Sequence, residues 1–142
     1  MADIRHSLQI LAAAAKIYPL VTTANGFSQW WAAEVTESVG AIELAFFNRK
    51  TIYRLSAGPA NPPAEAEFLC ETGAEWSGTR LIFRLEPLGS GTLVRFTHAG
   101  WQSETDYFVS CNTVWGELMF RLKAAAEAKP RGPLFLPDSL AC

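Results

Sequence analysis

Apolar and polar residues alternate over the first ten positions of the chain. From Ile4 to Ile10 every second residue is apolar or histidine, and the residues between them are polar. This period of two is typical of a strand with one buried face. The same alternation returns further on, and it predicts six more extended segments, at residues 33–36, 42–46, 52–55, 65–71, 79–85 and 92–98.

Turn residues separate most of these segments. Asn48 to Lys50 predicts one turn, and the Gly89-Ser90-Gly91 sequence is typical of a hairpin. Residues 56–63 contain three prolines, which lack the N–H that regular strand pairing requires, so we expect a loop there.

Between the first strand and residue 33 the pattern is helical. The sequence from Ala12 is rich in alanine, and aromatic residues follow the Asn25-Gly26 turn at helical spacing. We therefore predict two short helices, over about residues 12–22 and 26–31.

The segment from Thr105 to Lys129 has apolar residues in steps of three and four. That spacing predicts a helix with one wide apolar stripe, roughly 37 Å long at 1.5 Å per residue. Such a stripe needs a sheet to pack on. Pro130 and Pro133 end the helix.

Together these elements predict an α+β fold in which a curved antiparallel sheet of about six or seven strands wraps around the long C-terminal helix, with two short helices after the first strand. We expect a single domain over residues 1–129 and a tail over 130–142. The tail contains several apolar residues, so it could cap a pocket mouth, pack on a second copy of the chain in a homodimer, or fold back on its own chain.

Composition excludes several classes of protein. Of the 142 residues 49% are hydrophobic and 18% charged, which excludes a disordered chain. The formal net charge is −2, and without a basic cluster we expect no nucleic-acid partner. No apolar run approaches the ~20 residues that a membrane span needs, and the N-terminus does not resemble a signal peptide.

The three cysteines, Cys70, Cys111 and Cys142, do not have the spacing of a metal site, and their odd number fits a reducing compartment. We therefore expect a cytoplasmic protein with no metal and no cofactor. The alternation around Cys70 and the apolar stripe at Cys111 favour small core residues over reactive thiols.

Aromatic residues are the most informative candidates for a site. They could line an apolar pocket or simply fill the core. As ligand-binding candidates we take the large residues on the inner faces of the strands and of the long helix: Trp30, Trp31, Phe46, Tyr53, Phe68, Trp76, Phe83, Phe96, His98, Trp115, Leu118, Met119 and Leu122.

Within that set Tyr53 and His98 are the candidates for chemistry. The Tyr53 hydroxyl could orient a ligand, and His98 could act as a general base or be satisfied by its neighbours in the core. His6 shares the apolar face of the first strand and is a weaker candidate. Glu65, Glu67 and Glu71 lie on the polar face of their strand, where we expect ion pairs with Arg80 and Arg84 of the next strand rather than catalysis.

Four sets of residues resemble one known superfamily over about residues 4–128. They are Thr23, Gly26 and Trp30-Trp31, then WSGTRLIF at 76–83, then GTLVRFTHAGW at 91–101, and finally Trp115, Leu118 and Leu122-Lys123. This combination resembles the SRPBCC (START-like, polyketide-cyclase-like) superfamily, and within it the branch related to the heat-shock-protein-90 ATPase activator.

The resemblance implies a helix-grip fold with a cavity between the sheet and the C-terminal helix. Members of the superfamily include lipid carriers, hormone receptors and aromatic cyclases, so the fold does not define one activity. Its chaperone-activating members are longer proteins with an additional N-terminal domain. Since this chain begins at its first strand, we do not expect chaperone activation.

Three hypotheses follow for function. The first is a small cytoplasmic protein that binds an apolar or aromatic small molecule in the cavity. The second is a cyclase-, dehydratase- or hydrolase-like enzyme that uses His98 or Tyr53 on a carbonyl compound. The third is a protein-interaction module related to chaperone ATPase activators.

Overall fold

The computed structural model describes residues 1–138, which contain seven strands and three α-helices. In chain order they are β1 (Ala2–Ile10), α1 (Ala14–Ile17), α2 (Ala24–Phe27), β2 (Glu34–Ser38), β3 (Ala41–Phe46), β4 (Thr51–Asn61), β5 (Glu65–Cys70), β6 (Arg80–Leu88), β7 (Gly91–Trp101) and α3 (Asp106–Ala126).

All seven strands form one antiparallel sheet in the order β1-β7-β6-β5-β4-β3-β2. Strands that follow one another in the chain are neighbours, except that β1 lies beside β7. The sheet curves around α3, and this confirms the predicted α+β helix-grip architecture. The division into a domain over 1–129 and a tail over 130–142 stays a prediction.

Strand β4 differs from the sequence prediction. Residues 56–63 were expected to form a loop, but β4 continues through Pro59 to Asn61. The pairing with β5 shifts register between Ala57 and Ala60. A proline is tolerated at such an irregularity because no ladder hydrogen bond is required of it. The loop prediction was therefore wrong for most of this segment.

The two short helices are shorter than predicted. In place of one helix over 12–22 there is the single turn of α1 and then a 3₁₀ helix, Tyr18–Val21, with Pro19 in its first turn. In place of 26–31 there is α2, capped by Thr23, whose side chain accepts from the N–H of Gly26. The predicted boundaries were wrong because proline and the Thr23 cap divide the segment.

Helix α3 confirms the predicted long helix. Thr105 caps its N-terminus by accepting a hydrogen bond from the N–H of Phe108. Its buried stripe packs on the sheet, and hydrogen bonds with the first strand fix its position: His6 Nε2 lies 3.2 Å from the Asn112 carbonyl oxygen, and Lys123 Nζ donates to the Gln9 carbonyl.

The tail, as far as residue 138, folds back on its own chain. The N–H groups of Leu134 and Phe135 donate to the carbonyls of Trp30 and Trp31, and the Phe135 ring packs edge-on against Phe46 at 5.4 Å. Three alternatives were considered for the tail, and up to residue 138 it follows the one in which it folds back on its own chain. The remaining apolar residue considered there, Leu140, lies outside the described residues.

The cysteines correct one expectation. Cys70 and Cys111 are both buried, as predicted. Cys70 is a free thiol, whereas Cys111 is disulfide-bonded, which the prediction of a small core residue did not include. A helical stripe predicts burial but not disulfide bonding. Cys142 lies outside the described residues.

Ion pairs cover the outer face of the sheet. Glu67 pairs with Arg80 and Glu65 with Arg84, which confirms the predicted pairing of β5 with β6. Glu71 pairs instead with Arg54 of the preceding strand β4, so the predicted partner was wrong for Glu71; Arg54 also pairs with Glu43. No helix within residues 1–138 is long and apolar enough to cross a membrane.

Candidate functional site

The structure brings the sequence-predicted site residues together in one core between the sheet and α3. Several of the rings are in contact: the centroids are 4.2 Å apart for Tyr53 and Trp76, 4.2 Å for Phe96 and Trp115, and 5.0 Å for Trp31 and Trp115. All thirteen candidates are buried: Trp30, Trp31, Phe46, Tyr53, Phe68, Trp76, Phe83, Phe96, His98, Trp115, Leu118, Met119 and Leu122.

The space between the sheet and α3 was expected to enclose a cavity, but these rings largely fill it. Rings at these separations make favourable aromatic contacts and fill the space between strands and helix. Cavities of about 380 and 350 Å³ open elsewhere, one at an end of this core and one on the outer face of the sheet. A smaller cavity of about 180 Å³ includes one of the thirteen candidates, Phe68, in its lining. The assignment of the thirteen residues to a ligand stays a prediction.

A chain of hydrogen bonds crosses the core through His98. The Trp115 indole N–H donates to Nδ1 of His98 at 3.2 Å, and Nε2 of His98 lies 2.8 Å from Oγ1 of Thr79. The Thr79 hydroxyl donates in turn to the carbonyl of Trp76. Because Nδ1 must accept from the indole, we assign the proton to Nε2, which then donates to Thr79.

His98 is therefore held neutral and fully hydrogen-bonded. Its side chain is inaccessible to solvent, and burial lowers its pKa to about 3. With both ring nitrogens engaged inside the protein, the geometry favours a structural role. The role of general base stays a prediction that no contact supports.

Tyr53 has a partner that the sequence analysis missed. Its hydroxyl lies 2.5 Å from the hydroxyl of Tyr107, in the first turn of α3. Burial raises the pKa of both phenols, and the carboxylate of Glu75 raises it further. Tyr107 could have been found from the sequence, because it precedes Cys111 by four residues and Trp115 by eight, on one side of the helix.

Buried indole N–H groups without a partner are a second feature of this core. Within the described residues Nε1 of Trp31 and Nε1 of Trp101 have no hydrogen-bond partner. The Trp76 indole forms no well-aligned bond either, although it lies near enough to the Tyr107 hydroxyl to lower its pKa somewhat. A buried unpaired donor costs about 1–3 kcal/mol, so such donors mark places where a further acceptor would be favourable.

A cavity of about 380 Å³ opens at the end of the core where β7 ends and α3 begins. Trp101 belongs to its lining, although this residue is almost wholly buried. Thr105 donates to the Glu75 carboxylate at 2.5 Å in the same lining. The complete lining is Met1, Ala74, Glu75, Ser77, Gly78, Gly100, Trp101, Gln102, Ser103 and Thr105.

Most of that lining was missed by sequence reasoning. These residues lie in the loop before β6 and the loop after β7, where no periodicity distinguishes a cavity wall from any other polar loop. Only Trp101, through its aromatic side chain at a strand end, gave a usable signal.

Two other kinds of reactive group, a reactive thiol at Cys70 and a metal site, find no support in the described residues. Burial raises the pKa of the Cys70 thiol to about 12, which keeps it protonated and unreactive. Nowhere in residues 1–138 do three His, Cys, Asp or Glu side chains come together as metal ligands.

Comparison with known proteins identifies the fold. No family sequence model and no curated protein sequence matches the chain significantly. Among solved structures, the Aha1 dimer of Colwellia psychrerythraea, determined in solution, is 30% identical; the match covers 91% of this chain and 98% of that one, with a TM-score of 0.80.

Two further structures match at lower identity and show the fold alone. CalU16 of Micromonospora echinospora is 18% identical, with a TM-score of 0.74, and the match covers 93% of this chain and 69% of that one. DynU16, from the dynemicin biosynthetic locus, is 12% identical, with a TM-score of 0.73, over 97% of this chain and 49% of that one.

The curved sheet closed around a C-terminal helix is thus that of the helix-grip proteins. Within them the chain belongs to the SRPBCC (START-like) superfamily, in the branch that includes the Aha1-like proteins.

Proposed function

We propose that this protein binds a small molecule with an aromatic or apolar group, at the end of the core where the cavity of about 380 Å³ opens. The observation that carries the proposal is the mixed composition of this cavity: Met1, Ala74 and Trp101 belong to its lining together with polar residues, among them Glu75 and Thr105. Ligand sites typically combine an apolar surface with a few polar groups that fix orientation.

The cavity adjoins polar groups that could recognise a ligand. The Trp101 ring packs 6.1 Å from the Tyr107 ring, and Tyr107 holds the Tyr53 hydroxyl. Glu75 and Thr105 supply an acceptor and a hydroxyl at the rim. A ligand with an apolar group toward Met1 and Ala74 and a hydroxyl or amine toward Glu75 would satisfy both parts of the lining.

Binding is better supported than catalysis. Both ring nitrogens of His98 are occupied inside the core, and burial raises the pKa of Tyr53, so neither residue is poised to move a proton.

The test begins with native mass spectrometry of the freshly purified protein, which detects a retained ligand as a mass lost on unfolding. The neutral aromatic probe 2-naphthol is then titrated while ¹H–¹⁵N spectra are recorded. We expect saturable shifts at Trp101, Gln102 and Thr105. Ser103→Trp fills the cavity and should abolish them, whereas Ser110→Trp, on the exposed side of α3, should not.

Two results would contradict the proposal. One is that the shifts persist in Ser103→Trp; the other is that the unsubstituted protein shows neither shifts nor a retained mass. Shifts confined to Trp31, Trp76 and Trp115 would instead return the ligand to the space between the sheet and α3, as predicted from the sequence.

Self-association is a second candidate. The Aha1 protein of Colwellia psychrerythraea is a dimer in solution. On α3, Val109 and Phe120 are more than half exposed, and they lie about three turns apart, hence on one side of the helix. Two such residues on an outer face favour a contact with a second copy of the chain. Sedimentation velocity should show a concentration-dependent dimer that Phe120→Ser dissociates and Leu69→Ser, on the sheet, leaves intact.

A further inference from the structure

The outer face of the sheet carries a second cavity, of about 350 Å³, around three arginines. Arg84 on β6 lies directly opposite Arg95 on β7, and Arg95 lies opposite Ser7 on β1. Arg5 lies two residues before Ser7, opposite Thr97. The short side chains of Ser7 and Thr97 thus form a floor, and the three long arginines form its walls.

This arrangement is electrostatically unfavourable as it stands. Like charges on residues directly opposite each other in an antiparallel pair are destabilising. Arg84 reaches Glu65 only at 3.7 Å, and Arg95 reaches Glu86 at 3.3 Å. Both arginine side chains are more than half exposed, so these pairs contribute little.

Arg5 adds a charge without a counterion. Within residues 1–138 its guanidinium forms no ion pair with a carboxylate and donates no hydrogen bond. No acidic residue lines the cavity, whose other lining residues are His6 and Phe96. Three arginines and two hydroxyl-bearing residues therefore line one concave space, and the two carboxylates that pair with Arg84 and Arg95 lie outside that lining.

We infer that this cavity is a binding site for the phosphate group of a small molecule. Guanidinium groups bind phosphate oxygens through paired N–H donors, and Ser and Thr hydroxyls add further donors. A bound phosphate would also relieve the repulsion between Arg84 and Arg95. The site is separate from the cavity at Trp101 and does not depend on the function proposed there.

The phosphate could belong to an organic molecule or be inorganic, and the volume of the cavity favours the organic source. A cavity of about 350 Å³ is at the lower end of the range for small-molecule sites and exceeds the needs of an inorganic anion. We therefore expect an organic phosphate to bind more tightly than an inorganic one.

The test is a titration with sodium pyrophosphate and, separately, ribose 5-phosphate, at constant ionic strength, followed in ¹H–¹⁵N spectra. We expect saturable shifts of the Ser7 and Thr97 amides and of the three arginine Nε–H groups. Because the chain has a net charge of −2, general attraction of anions does not explain such a response.

Arg95→Gln should weaken binding about tenfold or more, since one of three charged contacts is lost. Arg80→Gln is the matched control: Arg80 is half-exposed on the same face and paired with Glu67, but outside the cavity lining. Both substitutions are at exposed positions, and the remaining resonances report that each variant is folded.

Equal weakening in both variants, or shifts that do not saturate below about 10 mM of either probe, would overturn the inference. Saturable binding of pyrophosphate alone would keep the anion site and identify inorganic phosphates as its ligand class.

Discussion

Trp115 on α3 donates its indole N–H to Nδ1 of His98 on β7, and this bond joins the helix to the sheet inside the core. Both side chains are fully buried. Its neighbours thus hold the His98 ring in one tautomer. Replacing His98 therefore affects the helix and the sheet together.

His98→Phe should lower the free energy of unfolding by about 2–4 kcal/mol. It removes two hydrogen bonds and leaves the Trp115 N–H buried without an acceptor. Urea unfolding followed by tryptophan fluorescence measures the change. His6→Phe is the control, because His6 is only partly buried, and we expect less than about 1 kcal/mol there. Equal losses in the two variants would contradict the role given to His98.

Stability should fall with pH below about 6.5. Unfolded His98 binds a proton near its ordinary pKa, whereas in the folded protein its pKa is about 3, so between these values the unfolded state holds the extra proton. The free energy of unfolding should then decrease by up to about 1.4 kcal/mol for each pH unit of acidification.

Urea titrations between about pH 7 and pH 5 test this slope, because that range lies above the region where carboxylates such as Glu127 titrate. His98→Phe, or His98→Gln if the former is too unstable, should flatten the profile. An unchanged slope in the variant would assign the pH dependence to other groups.

Gly26 and Gly116 should respond in opposite directions to alanine. A Cβ on Gly26 would lie 2.1 Å from the Pro19 carbonyl oxygen and 2.6 Å from Leu20 Cα, so Gly26→Ala should cost more than about 3 kcal/mol or prevent folding. A Cβ on Gly116 meets only His6 Cε1, at an ordinary 3.6 Å. Since alanine is the better helix former, Gly116→Ala should stabilise by about 0.5–1 kcal/mol, measured as a rise in Tm.

Arg121 should hold the tail in place. Its Nη1 group donates to the carbonyls of Arg131, Gly132 and Pro133, and its side chain is largely buried. Arg121→Gln should therefore increase amide hydrogen exchange at Leu134 and Phe135 and destabilise the protein by about 1–2 kcal/mol.

Arg131→Gln is the matched control for the tail. Arg131 is 57% exposed, and its single ion pair with Glu117 is 3.6 Å long. Removing it should leave exchange at Leu134 and Phe135 unchanged. Faster exchange in both variants would show that charge in this region, rather than the bonds to the three carbonyls, retains the tail.

The fold was largely predictable because its main elements obey simple periodicities. Strand β6 alternates over residues 80–85 and β7 over residues 91–98, and α3 has a continuous stripe, so the buried face of each follows from its pattern. At Pro59 the prediction failed, since proline is compatible with a strand where the register shifts, and register shifts depend on the partner strand.

The candidate site was predictable only in part. Alternation correctly placed His98 on the inner face, but the contacts that decide its chemistry join strand to helix across many residues of sequence. The cavity at Trp101 is formed by two loops, and the arginines at 5, 84 and 95 come from three strands whose order in the sheet the sequence did not state.

The docked tail has a consequence for how the protein behaves at high concentration. A sheet with free edge strands can recruit further strands from other molecules. Here α3 is bonded to β1 along one edge, and at the other edge Phe135 pairs with Ala32 just before β2, a strand of only five residues that contains Glu34 and Glu37. The tail thereby shortens the exposed edge of the sheet. Without the tail, we expect the protein to aggregate more readily at high concentration through this edge.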